Sequence, residues 1–260
     1  MTIQEALAYL HDVSWRGSRP GLSRTRELLR RLGDPQKRLR FVHVAGTNGK
    51  GSTSAMLAAI FRAAGARTGL YTSPFLMRFN ERMQCDGVPI SDGALAALTE
   101  RTRAEAEAMA EHPTEFELIT ALAMLWFAQE RCDIVVLEVG LGGALDSTNV
   151  IDCPELAVIC NLGYDHTAIL GSTLAQIAGA KAGILKGGDC VLYDGLPQEA
   201  ADVIRARCAA TGTRLHTPDF AQLRTVRLAL TGQVFDYGAR KALELPLLGL
   251  HQQKNAAVVL

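Results

Sequence analysis

Apolar residues along this chain come in short runs separated by stretches with helical periodicity. Residues 41–44 (FVHV) are apolar and β-branched or aromatic apart from His43. Together with runs at 68–72, 134–139, 156–161, 190–193 and 213–216, they predict buried strands. The stretches between predict helices over 52–64, 91–109, 114–130, 173–185 and 197–210, and two amphipathic helices, 2–12 and 22–32, precede the first strand. Gly33 and Asp34-Pro35 stop the second of these, as a glycine past the last turn followed by proline should. Thr114 and Glu117 form a capping box before a long apolar helix. Strand, helix and strand in quick succession make a βαβ unit, which implies a right-handed crossover and a parallel sheet. Residues 13–20 read as a loop rich in glycine, proline and arginine, and 73–89 as a long segment irregular at both ends. After Leu223 the alternation changes to short strands near 224–230, 233–237 and 243–247, which pair antiparallel, and the last residues, NAAVVL, read as a helix without a cap. The expected fold is therefore α/β: a three-layer P-loop-type domain with a mostly parallel sheet, a helical lead over 1–40, a core over 41–222, and a small β appendage with a truncated helix over 223–260.

The stretch 41–53, FVHVAGTNGKGST, joins the first strand to a glycine-rich turn and a helix start. Glycines let backbone N–H groups approach an anion, and a helix N-terminus adds unpaired N–H groups and the positive end of its dipole. Lys50 is placed to reach outer phosphates, and the hydroxyls of Ser52 and Thr53 to meet a divalent cation. The strict pattern G-x-x-x-x-G-K-[ST] is not met: Val44 stands where its first glycine belongs and Gly51 follows the lysine directly. Glycines alone would suit any strand-to-helix turn; the lysine and hydroxyls point to phosphate.

Composition narrows the class. The chain has 260 residues, 48% hydrophobic and 21% charged, with a formal net charge of zero, so it can bury a core and has no basic surplus for nucleic acid. Its longest apolar run, 119–128, is too short to span a bilayer, and the N-terminus lacks the pattern of a signal peptide. Six scattered cysteines without C-x-x-C spacing fit reduced thiols in a cytoplasmic protein.

Polar residues collect where the predicted strands end, the edge at which doubly wound sheets bind ligands. Glu138 closes an apolar strand, so it is either a metal-binding carboxylate or one that reaches solvent at the strand end. His166, after the next strand, is either structural or a second ligand. Lys181 sits among small apolar helix residues; its amine either snorkels to water or lies near a cationic site that favours neutralisation or modification. Asp146, followed by Ser147, Thr148 and Asn149, is either turn chemistry or a carboxylate accepting two N–H bonds from the amidine-like edge of a heterocycle.

In sequence order, HVAGTNGKGST, LYTSPFLMRFNER, TEFELITALA, VLEVGLGGALDSTNV, GYDHTAILG, KAGILK and LGLHQQKNAA resemble the folate-adding members of the Mur ligase superfamily, the dihydrofolate synthase/folylpolyglutamate synthase family. The resemblance spans nearly the whole chain. It implies an ATP-dependent amide ligase that adds L-glutamate to dihydropteroate or a folate through an acyl phosphate, acting as a cytoplasmic monomer. Other Mur-type amino-acid ligases, or a nucleotide-binding module without ligase activity, are the alternatives; the short lead before the phosphate loop argues against a cell-wall ligase.

Carried over by motif, Thr47, Asn48, Gly49, Lys50, Gly51, Ser52 and Thr53 would hold the ATP phosphates, and His251, Gln252 and Asn255 would lie near the base. Ser52, Ser73, Glu138 and His166 would serve Mg²⁺, or Mn²⁺, and Lys181 would be carbamylated by CO₂. Lys50, Lys181 and His166 would carry the catalysis. Thr114, Phe116, Asp146 and Ser147, with Arg82 and the Gly21-Leu22 loop, match positions associated with the pterin. Ala144 stands where the family usually has arginine, and Ala180 where an acid usually precedes the lysine. The family also carries a C-terminal ligase domain that these residues lack, so the resemblance implies a chain that binds nucleotide weakly and ligates poorly or not at all.

Overall fold

The computed structural model describes residues 1–13 and 20–260. The loop expected over 13–20 falls mostly on 14–19 and lies outside the described residues. Strand β1 (Phe41–Ala45) is central in an eight-stranded sheet. On one side lie β5 (Ile134–Glu138) and β2 (Thr68–Tyr71), on the other β6 (Leu156–Ile159), β7 (Asp189–Leu192) and β8 (Arg214–His216), and these six strands are parallel. The chain leaves β1 towards one side and, after β5, crosses to the other, so a crevice opens beyond the carboxyl ends of β5, β1 and β6.

Alternation along β1 feeds both faces of the sheet. Val42 and Val44 join a core with Leu57 of α3 (Lys50–Ala63) and Val258 of α9 (Leu250–Val259). Phe41 joins the larger core on the opposite face, built on α1 (Ile3–Asp12), α2 (Ser23–Arg31), α4 (Asp92–Glu107) and the buried helix α5 (Glu115–Gln129). Ala45 packs with α7 (Leu174–Ala182) and α8 (Gln198–Thr211). The expected three-layer α/β architecture is present, and so is the appendage: β9 (Leu223–Ala229), β10 (Gly232–Tyr237) and β11 (Arg240–Leu245) form a separate antiparallel sheet.

Four local expectations change. Helix α3 starts at Lys50, not Ser52, because Gly49 adopts φ +86 and lets the helix begin inside the glycine loop. Segment 73–89 is not irregular throughout: β3 (Met83–Cys85) and β4 (Val88–Pro89) form an antiparallel hairpin at the sheet edge. Its turn is Asp86-Gly87, both with positive φ, a hairpin signal visible in the sequence but attached to strands too short to show a period. A one-turn helix, α6 (Thr167–Leu170), follows His166, and the last helix begins at Leu250, well before the NAAVVL segment.

Candidate active site

The glycine loop follows β1 directly. Gly46 has no room for a side chain, since a Cβ there would lie 2.6 Å from Cys160 Cβ. The loop is tied to β6: the N–H groups of Thr47 and Asn48 both donate to Asn161 O, and Thr47 Oγ1 bonds Gly163. Its far side meets α9, where a Cβ on Gly49 would lie 2.6 Å from Asn255 Oδ1. Asn255 donates to Gln252 Oε1 at 3.0 Å, and Gln252 donates to Ser52 Oγ at 3.1 Å. Residues expected near the phosphates and near the base are thus in contact, although they are about 200 positions apart. His251 is exposed, and a Cβ on Gly249 would lie 2.5 Å from its Cε1.

Three ionisable groups surround the loop. Lys50 Nζ donates to Thr47 O at 3.3 Å. Lys181 is buried and donates to Gly46 O at 2.8 Å, and burial, reinforced by the Lys50 charge, pulls its pKa down to about 8. Glu138, 4% exposed, accepts the Ser73 N–H at 3.1 Å. Burial pushes its carboxyl up to about 7, against the pull of that N–H and of Lys50. Gly51 lies beside it, its Cβ position 3.7 Å from Glu138 Oε2.

A buried carboxylate with a single hydrogen bond, beside a hydroxyl-bearing phosphate loop, has the chemistry to take a divalent cation. Among the described residues no three His, Cys, Asp or Glu side chains gather into a metal cage. A cation at Glu138 would therefore draw most of its ligands from hydroxyls, phosphate and water. His166 is exposed at the start of α6 with Asp165 Oδ2 3.6 Å from its ring.

Next to the loop lies a cavity of about 730 Å³. Ser73 is on its rim, so the residue that binds Glu138 also borders the cavity. Phe116 forms one wall with its ring flat against Gly140, where a Cβ would lie 2.5 Å from Cζ. Thr114 caps α5, and its helix partner Glu117, almost fully buried, is held by Arg24 of α2 at 2.9 and 3.0 Å. Arg82 packs over Phe75 and Phe79, 5.3 and 5.5 Å from the ring centroids, with its Nε buried and without a partner among the described residues. Ser147 follows Asp146 on the same wall.

Asp146 is buried at the cavity wall. It accepts the N–H groups of Leu141 at 2.8 Å and Thr148 at 3.0 Å and the Thr148 hydroxyl, and burial raises its pKa. A carboxylate has about four acceptor sites and the Gly140 N–H also acts on this one, so at most one ligand N–H can be accepted rather than two. Thr148, Arg24 and Gly140 were not among the expected site residues. A glycine after a strand is too ordinary a signal to single out, and the Arg24–Glu117 pair spans 93 positions.

The two departures fall on one spot. Ala144 N–H donates to Ala180 O at 2.8 Å, and both residues line the cavity.

Residues 44–260 match the family described as the Mur ligase middle domain. The chain is 41% identical over 267 residues to a dihydrofolate synthase/folylpolyglutamate synthase of Bacillus subtilis (strain 168), covering 98% of the chain and 61% of that protein. It is 41% identical over 271 residues to a folylpolyglutamate synthase of Lacticaseibacillus casei, covering 100% of the chain and 63% of that protein. A solved structure described as an FPGS-AMPPCP-folate complex superposes with a TM-score of 0.90 at 40% identity, covering 100% of the chain and 65% of the solved one. The chain thus spans less than two thirds of the length of these relatives. A family match over most of the chain and a fold shared end to end agree with the glycine loop and the cavity beside it: the chain belongs to the Mur ligase family.

Proposed function

We propose that this chain provides the ATP site and the acceptor cavity of an ATP-dependent ligase that adds L-glutamate to dihydropteroate or a folate. The observation that carries this reading is Ser73: its N–H binds Glu138 beside the phosphate loop, and the same residue borders the cavity. A substrate in the cavity can then present a carboxylate to the terminal phosphate of ATP in the loop.

Carboxylate is a poor electrophile because its leaving group would be oxide. One carboxylate oxygen attacks the γ-phosphorus, ADP leaves, and an acyl phosphate forms. The glutamate amine then attacks the acyl carbon, phosphate leaves with the C–O electron pair, and the nitrogen loses a proton. Lys50, with the N–H groups at the start of α3, offsets charge moving between the phosphates. Glu138, with the hydroxyls of Ser52 and Ser73, would hold Mg²⁺ or Mn²⁺, which supplies further charge neutralisation at the phosphates.

Lys181, with its lowered pKa of about 8, exposes a neutral amine more readily than an ordinary lysine and so can take up CO₂ as a carbamate, becoming an anion near the cation. The cavity offers the Phe116 ring for stacking and the Asp146 carboxylate for one N–H of a pterin. The same resemblance supports a cytoplasmic monomer; among the described residues, no helix is long and apolar enough to cross a membrane.

The test is ATP turnover by the full-length protein in the presence of Mg²⁺ and glutamate, with dihydropteroate or a folate added in turn. Turnover stimulated by either supports a ligase of this class. ATP binding without stimulation by either would leave a nucleotide-binding module and end the proposal.

A further inference from the structure

Behind the cavity wall, a line of buried polar groups runs from β1 to Asp146. His43 is fully buried, with Nε2 2.9 Å from Thr148 Oγ1. The Thr148 hydroxyl in turn bonds Asp146 Oδ1. That hydroxyl has one proton. With Asp146 ionised, the proton points to Oδ1, so His43 must donate through Nε2–H and leave Nδ1 bare. Nδ1 is buried and has no partner among the described residues.

If Asp146 carries a proton on Oδ1, the line reverses. Asp146 then donates to Thr148 Oγ1, Thr148 donates to His43 Nε2, and the imidazole proton moves to Nδ1, where a buried N–H meets no acceptor. An orphaned buried N–H is rarer and costlier than a bare acceptor. Protonating both ring nitrogens is opposed by burial and by the positive charge of Lys186, which is anchored on Asn149 O at 2.9 Å and on Ile151 O; together they hold the imidazole down at about 3. The reversed line therefore ends on an unsatisfied donor, and the forward line does not.

We infer that His43 is a positioning residue: through Thr148 it holds Asp146 Oδ1 as a hydrogen-bond acceptor and so fixes the carboxylate that a heterocycle in the cavity would meet. This rests on the reading of the cavity given above. His43 touches no ligand itself; it fixes how Asp146 sits in the cavity wall.

The first measurement needs no ligand. Long-range ¹H–¹⁵N correlation on histidine-labelled protein at neutral pH is expected to show His43 protonated at Nε2 and bare at Nδ1. A ring protonated at Nδ1, or at both nitrogens, overturns the inference. The second is calorimetry with dihydropteroate and with ATP, each alone. His43→Leu should weaken dihydropteroate binding about tenfold, the loss of one hydrogen bond to a charged group, and leave ATP binding unchanged. His43→Gln, whose amide nitrogen takes the place of Nε2, should restore most of the loss. Equal weakening of both ligands, or no rescue, would mark a purely structural residue and overturn the inference. Should His43→Leu fail to fold, Thr148→Val interrupts the same line without changing shape, and Thr148→Ser should restore it. Asp146→Asn separates the two readings. If it leaves dihydropteroate affinity intact, the reading of the cavity falls and this inference with it. If it weakens binding while His43→Leu and Thr148→Val do not, only the positioning role is lost.

Discussion

The phosphate loop and the cavity sit side by side but are built in opposite ways. The loop is one unbroken stretch, 46–53, whose ligand-facing groups are backbone N–H and a lysine. The cavity is assembled from Ser73, Arg82, Phe116, Gly140 and Asp146, brought together only by the sheet order, with an apolar wall and a buried carboxylate. A site written locally can be damaged by one residue with little effect on the fold. A site written by topology depends on packing well behind the ligand. Substitutions of decreasing expected effect can break or sharpen that contrast.

The largest effect belongs to Lys50→Ala. The lysine is partly exposed and, among the described residues, bonds only Thr47 O, so its loss should leave the circular dichroism spectrum and unfolding midpoint near those of the parent. ATP turnover should fall by about a thousandfold, the upper range for removing one preorganised transition-state contact. Undiminished turnover would mean that the phosphate site has been misplaced.

Arg24→Ala should do the reverse, harming the fold first. It strips a bidentate partner from Glu117, whose side chain is 2% exposed, at the start of α5. Leaving a buried carboxylate without its cation costs about 3 kcal/mol or more, read as a lower urea midpoint. Because Glu117 also holds the Thr114 N–H, the cavity should loosen with it, and dihydropteroate binding should weaken more than ATP binding. A shift below about 1 kcal/mol would place this pair among surface ion pairs of little worth.

The same contrast explains what was legible in the sequence. The β1–loop–α3 unit was readable because a buried strand, three glycines and a lysine are local signals. Phe116 was reachable only through family resemblance, since nothing local distinguishes a wall aromatic from a core one, and Asp146 was legible locally only as one of two readings of a polar turn. His43 read as an irregularity in an apolar strand; its role depends on Thr148, 105 positions away. The hairpin at 83–89 was hidden because strands of three and two residues carry no period, although Asp86-Gly87 marked its turn. Glu138 was readable as a costly buried acid, but Ser73 as its partner was not, because that contact follows from β2 lying next to β5.

Lys181 links the two regions and supplies a pH dependence. Its folded pKa, about 8, lies below the ordinary 10.5. Between these values the unfolded chain holds the proton more tightly, so stability should rise with pH through this window. The full difference is on the order of 3 kcal/mol. Below pH 8 the amine is charged in both states and burial counts against the fold. Lys181→Met should flatten this rise relative to the parent, measured by urea unfolding in CO₂-free buffer. Bicarbonate should move the start of this rise to lower pH if the lysine becomes a carbamate, because carbamylating a protonated amine releases a proton, whereas an identical rise in both buffers would exclude that modification.

Gly140→Ala carries the smallest expected effect and tests the cavity wall most directly. The added methyl would meet Phe116 Cζ at 2.5 Å, well inside contact distance. The far edge of an aromatic ring can swing away, so the fold should lose no more than about 1–3 kcal/mol, the usual range for overpacking. The ring must swing into the cavity or tilt off its wall, and in either case its face is no longer presented to a stacked heterocycle. Dihydropteroate affinity should drop about tenfold, in line with the worth of one aromatic stacking contact. The atoms nearest the added methyl all belong to Phe116, so ATP affinity should hold. If the variant binds both ligands like the parent, Phe116 is a core residue that happens to border the cavity, and the acceptor ring must be held by other groups. If ATP affinity falls in step, loop and cavity are mechanically one unit, and the contrast between a local and a topological site fails.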